Sequence, residues 1–241
     1  MPGPLAVGNT AKLYCLELID RAAAEADGTF RIVDLGCGTG SNFVELLHRR
    51  RNVVYVGVEP SRTAAEEARR RLRTAEIVNR AAYDVRVEPA DAVVSFSVLE
   101  HVVQRARYLE AVRANLRPGG RVYLNYDSGH FVADVDLRER AKALASQVLA
   151  RLGAESRYRA RVREGEFRSL AAAAGLRIVD EKVFNTDLKR LYPLVPRDRA
   201  AAYMDRWLAF ELELNELGIA YRDELATVFR TRSFVLEPAQ P

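Results

Sequence analysis

Three glycines at alternate positions, Gly36, Gly38 and Gly40, stand in the run Val33-Asp34-Leu35-Gly36-Cys37-Gly38-Thr39-Gly40. The run closes an apolar stretch from Phe30 to Leu35 and precedes Phe43, Val44, Leu46 and Leu47 at helical spacing. A strand, a glycine turn and a helix in this order let backbone approach a ligand without a Cβ clash, and the helix start offers N–H groups not yet bonded within it. The next apolar stretch, Val53 to Val58, ends in Glu59. A carboxylate at that strand tip can accept both hydroxyls of a vicinal diol such as a ribose. The segment lacks the G-x-G-x-x-G spacing of a nicotinamide fingerprint and the Gly-Lys-Ser/Thr of a kinase-type P-loop.

The elements that must hold these residues read as an alternation. Thr10 to Ala26 places Leu13, Leu16 and Ile19 on one helical face, with Thr10 as the N-cap. Strands are expected at Phe30 to Leu35, Val53 to Val58, Ala75 to Val78, Ala92 to Phe96 and Arg121 to Tyr126. Helices are expected at Arg62 to Arg73, behind the Glu59-Pro60-Ser61 turn, and from about Gln104 to Leu116, stopped by Arg117-Pro118-Gly119-Gly120. A helix from Glu166 to Ala174, a sixth strand from Leu176 to Phe184 and a last strand from Leu225 to Leu236 complete the pattern. Strands alternating with helices imply right-handed crossovers, so the class is α/β: a mainly parallel seven-stranded Rossmann-like sheet with helices on both faces and helical inserts. One domain spanning residues 1–241 is expected, with an N-terminal helical cap (1–29), a ligand-binding core (30–127) and two inserts (128–165 and 187–220) that cover the substrate side. The first insert carries a helical stretch from Phe131 to Leu152. The second carries Leu191, Tyr192, Leu194, Tyr203, Met204, Trp207, Leu208 and Phe210, as core or as the roof of a pocket.

Composition narrows the classes. A chain of 241 residues, 49% hydrophobic, can bury a substantial core. Of its 37 bases only Lys12, Lys142, Lys182 and Lys189 are lysine, and the net charge is +4. The stretch from Arg138 to Arg168 holds nine bases and four acids. The positive excess is therefore local, either a solvated insert whose arginines pair with Glu155, Glu164 and Glu166 or a lid that reads an anion through Arg157 to Arg163. Aromatic residues do not interleave with this stretch as a stacking platform, which disfavours nucleic acid. Cys15 and Cys37 allow no disulfide framework and no structural zinc site, the N-terminus has no leader pattern, and no window reaches the about 20 apolar residues of a membrane span. A cytoplasmic protein is expected, neither secreted nor embedded in a membrane.

Four segments in order resemble the class I S-adenosylmethionine-dependent methyltransferases: Val33 to Gly40, Gly57-Val58-Glu59-Pro60, Val93-Val94-Ser95-Phe96-Ser97-Val98-Leu99-Glu100-His101, and Leu116-Arg117-Pro118-Gly119-Gly120. The resemblance runs from about Phe30 to Tyr126 and resumes at Phe167 to Phe184. It implies S-adenosyl-L-methionine as cofactor, with Gly36, Gly38 and Gly40 along its methionine and ribose portions, Glu59 on the ribose diol and Asp34 orienting the methionyl amino end. Pro60, Ala82, Tyr83 and Ser97 fall at the remaining contact positions. Ala81 stands where the family usually places an acid for the adenine amine, so Asp84 or the backbone near Ala82 and Tyr83 would substitute. Methyl transfer from a sulfonium is an in-line displacement, and an oxygen or nitrogen acceptor gains from a general base. His101 and His130 are the candidates, at strand ends facing the crevice, whereas His48 belongs on the surface. Ser97 replaces the first glutamate of the family's Glu-x-x-Glu-His metal motif, so no metal is expected. The resemblance implies a methyltransferase acting on O or N of a small metabolite, anionic or carrier-bound. RNA or protein methylation, or cofactor binding without transfer, are the alternatives, and a homodimer is compatible with the sequence.

Overall fold

The computed structural model describes residues 8–128, 160–185 and 187–239. Along the chain run α1 (Thr10–Glu25), β1 (Phe30–Leu35), a 3-10 turn (Ser41–Phe43) leading into α2 (Val44–Arg49), β2 (Val53–Val58), α3 (Arg62–Arg71) and β3 (Glu76–Val78). Then come β4 (Ala90–Phe96), α4 (Arg105–Ala114), β5 (Leu116–Asp127), α5 (Glu164–Ala173), β6 (Leu176–Asn185), α6 (Ala200–Glu216) and β7 (Phe229–Pro238). Short 3-10 turns at Ala82–Asp84 and Leu99–His101 follow β3 and β4. The seven strands form one sheet in the order β3-β2-β1-β4-β5-β7-β6. β1 through β5 pair in parallel, and β7 runs antiparallel to both β5 and β6. The mainly parallel α/β sheet expected from the alternation is therefore present. Strand order reverses between β1 and β4, which opens a crevice at their carboxyl ends.

Period-two alternation divides the core into two faces. Ile32, Val94, Phe96 and Tyr123 pack with Leu13, Leu16 and Ile19 of α1 and with Met204 and Leu208 of α6. Val33, Leu35, Val93 and Leu124 pack on the other face with Leu109 and Val112 of α4 and Phe167 of α5. Burial on both faces is why these strands read as continuous apolar runs.

Several boundaries move for identifiable reasons. The N-cap of α1 is Asn9, whose side chain accepts from the Lys12 amide at 3.1 Å, while Thr10 is buried inside the first turn. β5 starts five residues before Arg121: Leu116 pairs with Ala90, the chain bulges through Pro118 to Gly120, and pairing resumes at Arg121 opposite Ala92. Gly120 is required there, since a Cβ would lie 2.8 Å from the Ala90 carbonyl oxygen. The last strand begins at Phe229, because Asp223–Leu225 closes into a 3-10 turn. The sheet edge at β6 is covered by side chains of α6: Asn215 accepts from the Val183 amide and donates to its carbonyl, both at 2.8 Å, and Glu211 accepts from the Asn185 amide at 2.6 Å.

The expected helical stretch Phe131 to Leu152 lies outside the described residues. In the second insert Met204 and Leu208 are core, whereas Leu191, Leu194, Tyr203 and Phe210 are exposed. No described helix is long and apolar enough to cross a membrane.

Candidate active site

The glycine turn sits at the carboxyl end of β1, with Gly36, Gly38 and Gly40 all at positive φ. The amides of Gly36 and Cys37 both donate to the Val58 carbonyl, at 2.8 and 3.1 Å, which fastens the turn to the end of β2. The glycines serve different ends. A Cβ at Gly36 would lie 2.4 Å from a Val98 methyl and one at Gly40 2.7 Å from Leu72, so those positions are needed for close packing. A Cβ at Gly38 would meet nothing within 4 Å: the turn leaves open space there.

Glu59 closes this space from the tip of β2. Its carboxylate accepts from the Gly38 amide at 3.0 Å and from the Ser61 amide at 2.8 Å, one oxygen each, while Asn79 donates to the Glu59 carbonyl at 2.8 Å. Each carboxylate oxygen keeps further acceptor capacity for a hydroxyl. Gly36, Gly38, Gly40 and Glu59 thus come together as the sequence implied. Pro60 continues from Glu59 at the exposed start of the turn into α3.

Asp34 lies one residue inside β1 and is 1% exposed. Tyr55 donates its hydroxyl to Oδ2 at 2.8 Å, and Oδ1 has no hydrogen-bond partner. Burial pushes the Asp34 carboxyl up to about 7, with Glu59 adding to the effect and Tyr55 and Lys12 opposing it. Ala82 and Tyr83 occupy the turn after β3, half-buried, with Arg107 over the Tyr83 ring at 5.3 Å. Asp84, which with the backbone near Ala82 and Tyr83 was expected to substitute for the missing acid, is exposed and bonded to Arg107 at 2.8 Å.

Beyond β4 the backbone is constrained. Ser97 is the one described non-glycine residue at positive φ, and its amide donates to both the Asn125 carbonyl and the Asn125 side-chain oxygen at 3.0 Å. Asn125 is fully buried and its Nδ2 has no partner. Strained backbone held by a neighbouring strand is a feature of functional sites. Tyr108 of α4 ties the strand ends together, sharing a hydrogen bond with Ser95 at 2.7 Å and donating to the Leu35 carbonyl at 3.0 Å.

His101 ends the 3-10 turn after β4 and is exposed, and His48 lies exposed on α2. His130 falls outside the described residues, as do Arg157 and Arg159. In the remainder of the arginine run, Val162 is buried while Arg161 and Arg163 are exposed. Of the acids expected to pair within the stretch, Glu164 bonds Arg168 inside it and Arg232 outside it, Glu166 bonds Arg105, and Glu155 falls outside the described residues. Among the described residues no three His, Cys, Asp or Glu side chains are grouped to hold a metal ion.

Three residues around the turn after β4 and the start of α1 take part in interactions that the sequence reading did not assign to them. Glu100 is 5% exposed, with Oε2 unpartnered, and burial pushes its carboxyl up to about 7. Lys12, in the first turn of α1, acts electrostatically on both Asp34 and Glu100. Arg105, 8% exposed, donates to the carbonyls of Leu99 at 3.3 Å, Ala160 at 2.8 Å and Arg161 at 3.2 Å and pairs with Glu166. The one available signal for Lys12 was a cation between Ala11 and Leu13 on an otherwise apolar helix face.

A family model described as a methyltransferase domain matches residues 8–181. The chain belongs to that family, and its fold is that of a class I S-adenosylmethionine-dependent methyltransferase. A curated relative from Streptomyces fradiae, an uncharacterized 37.1 kDa protein in transposon TN4556, is 30% identical over 126 residues, half of this chain. The match spans 36% of that relative's length, so the chain aligns with about a third of it. Among solved structures, the YcgJ protein of Bacillus subtilis aligns with TM-score 0.57 at 14% identity, covering 95% of this chain and 99% of its own. The O-methyltransferase of a polyketide synthase multienzyme from Brevibacillus brevis, in complex with S-adenosyl-L-homocysteine, aligns with TM-score 0.56 at 15% identity, covering 93% and 72%. At such identities the likeness shows the shared fold.

Proposed function

We propose that this chain transfers a methyl group from S-adenosyl-L-methionine to an oxygen or nitrogen of a small-molecule acceptor by in-line displacement, as a single methyltransferase domain. One observation carries the reading: the Gly38 amide and the Glu59 carboxylate meet at 3.0 Å beside open space, where a Cβ on Gly38 would meet no atom within 4 Å. The buried, unpartnered Asp34 Oδ1 next to that turn adds an acceptor for a cationic group. The residues present therefore fit the cofactor. Gly36, Gly38 and Gly40 would line its methionine and ribose portions, Glu59 its diol and Asp34 its amino end, with Pro60, Ala82, Tyr83 and Ser97 at the rim. When bound, S-adenosylmethionine supplies an electrophilic methyl group on a sulfonium.

The chain's own contribution is largely positional. The turn and the ends of β4 and β5 would hold the acceptor nucleophile in line with the methyl carbon and the leaving sulfur and exclude water. His101 and His130 are the side chains placed in sequence to take a proton from the acceptor. The exposed Arg161 and Arg163 favour an acceptor carrying negative charge, free or carrier-bound, in the cytoplasm. The test is a methyl-transfer assay with labelled cofactor on a metabolite extract and, separately, on bulk RNA. Incorporation into small molecules is expected; label in RNA alone would overturn the acceptor class, and cofactor binding without incorporation into either would leave a binding protein.

A further inference from the structure

α6 buries one side and leaves an apolar side open. Met204 and Leu208 pack inward with α1 and the sheet. Tyr203, Phe210 and Leu217, each two helical turns from the next, fall in line on a different side and are 37%, 57% and 65% exposed. Half-buried Trp207 and Leu214 border this line toward the core, and the exposed Arg206 and Glu213 border it on the outer edge. The stripe from Tyr203 to Leu217 is about 21 Å long at the helical rise. Single exposed apolar side chains need no explanation, but an aligned set rimmed by charge marks an association face. Leu191 and Leu194, exposed in the turns that lead into α6, extend the apolar surface of the same insert.

The rim charges say which partner fits. Arg206 and Glu213 stand on the same edge, four residues before and three residues after Phe210, and neither takes part in an ion pair among the described residues. A second copy of the helix laid antiparallel across the stripe, with a two-fold axis at Phe210, sets each edge against the same edge of its mate. Phe210 then meets the partner's Phe210, Tyr203 meets the partner's Leu217, and Arg206 meets the partner's Glu213, the last two contacts each made twice by symmetry. A parallel pairing would instead set the charged edge against the apolar edge formed by Trp207 and Leu214. The stripe is therefore complementary to itself in the antiparallel orientation and not in the parallel one.

We infer that the chain forms a two-fold symmetric dimer through the Tyr203, Phe210 and Leu217 face of α6, with Arg206 and Glu213 setting the antiparallel register. The aromatic side chains supply the buried apolar area, and the ion pairs, individually weak at a surface, choose the orientation. The face contains neither the glycine turn nor Glu59, so the inference stands independently of the cofactor reading.

Sedimentation equilibrium of the full chain over a range of concentrations is the test. Wild type is expected to reach twice the 27.0 kDa mass of one chain. Phe210→Glu should raise the dissociation constant more than about thirtyfold. Arg206→Glu and Glu213→Arg each set like charges together twice and should each raise it by about tenfold, while the double variant should return it to within about threefold of wild type. A chain that stays monomeric at every concentration, leaving the stripe to an unlike protein or a lipid surface, would overturn the inference. So would a dimer unaffected by Phe210→Glu, or a double variant weakened as much as its two single changes together. If Phe210→Glu does not fold, as judged by circular dichroism, the charge reversals at the two exposed positions decide alone.

Discussion

The Gly38 amide donates to the Glu59 carboxylate across the ends of β1 and β2, 21 residues apart in sequence. This contact joins the two strands at the place where a ligand would enter, and it separates the functions of neighbouring glycines. Gly38→Ala meets no atom within 4 Å, so its structural cost is that of a positive φ in a non-glycine residue, about 1 kcal/mol. It should fold with a melting temperature a few degrees below wild type and lose most affinity for S-adenosylhomocysteine, since the methyl enters the ligand's space. Gly36→Ala drives a Cβ into Val98 and should destabilise the apo protein more strongly. Thermal melts of both variants with and without ligand check this; equal melting and equal affinity in the two would contradict it.

Glu211 tests a buried acid away from the cofactor turn. It is 1% exposed, accepts from Asn185, lies beside the Thr10 hydroxyl, and burial pushes its carboxyl from 4.5 up to about 7. The folded chain holds that proton more tightly than the unfolded chain, so the stabilisation is complete below about pH 4.5 and is lost as pH rises through 7. Glu211→Gln removes this dependence. At pH 8 the variant should be more stable than wild type by about 1–3 kcal/mol, and the difference should vanish near pH 4. Chemical denaturation across that range is the measurement, and a pH-independent difference would refute it.

Arg105 predicts a local loosening. Its guanidinium bonds the carbonyls of Leu99, Ala160 and Arg161 and pairs with Glu166, so it fastens the start of the segment leading into α5 to the turn that bears Glu100 and His101. Arg105→Met should cost about 3 kcal/mol and speed tryptic cleavage at Arg161 and Arg163. Unchanged cleavage would show that the segment is held by other contacts.

His101 is the exposed candidate base. His101→Ala should leave the affinity for S-adenosylhomocysteine within about twofold of wild type and lower turnover by about 10²-fold, the lower end for a lost general base. Turnover at the wild-type level would remove His101 from the proton path.

The parallel strands and the glycine turn were legible because they are encoded locally: β-branched runs buried on both faces, and glycines where positive φ is obligatory. Contacts between distant segments were not. Asn9 takes the cap from Thr10 because Thr10 is buried inside the first turn of α1. β5 runs through Pro118 and Gly119 because a bulge opposite Ala90 absorbs them, a pairing that reads in sequence as a helix stop. The electrostatic effect of Lys12 on Asp34 was not legible for the same reason, since one residue comes from the first helix and the other from the first strand. Ser97 was placed by motif alone, and its positive φ goes with hydrogen bonds from its amide to Asn125 on the adjacent strand.

The central claim is that Glu59 and the glycine turn bind S-adenosylmethionine. Its most direct test is calorimetric titration of S-adenosylhomocysteine into wild type and Glu59→Ala, both confirmed folded by circular dichroism. Saturable one-to-one binding to wild type, weakened more than about tenfold in the variant, is expected. Absence of binding to wild type, or an affinity unchanged by Glu59→Ala, would contradict it.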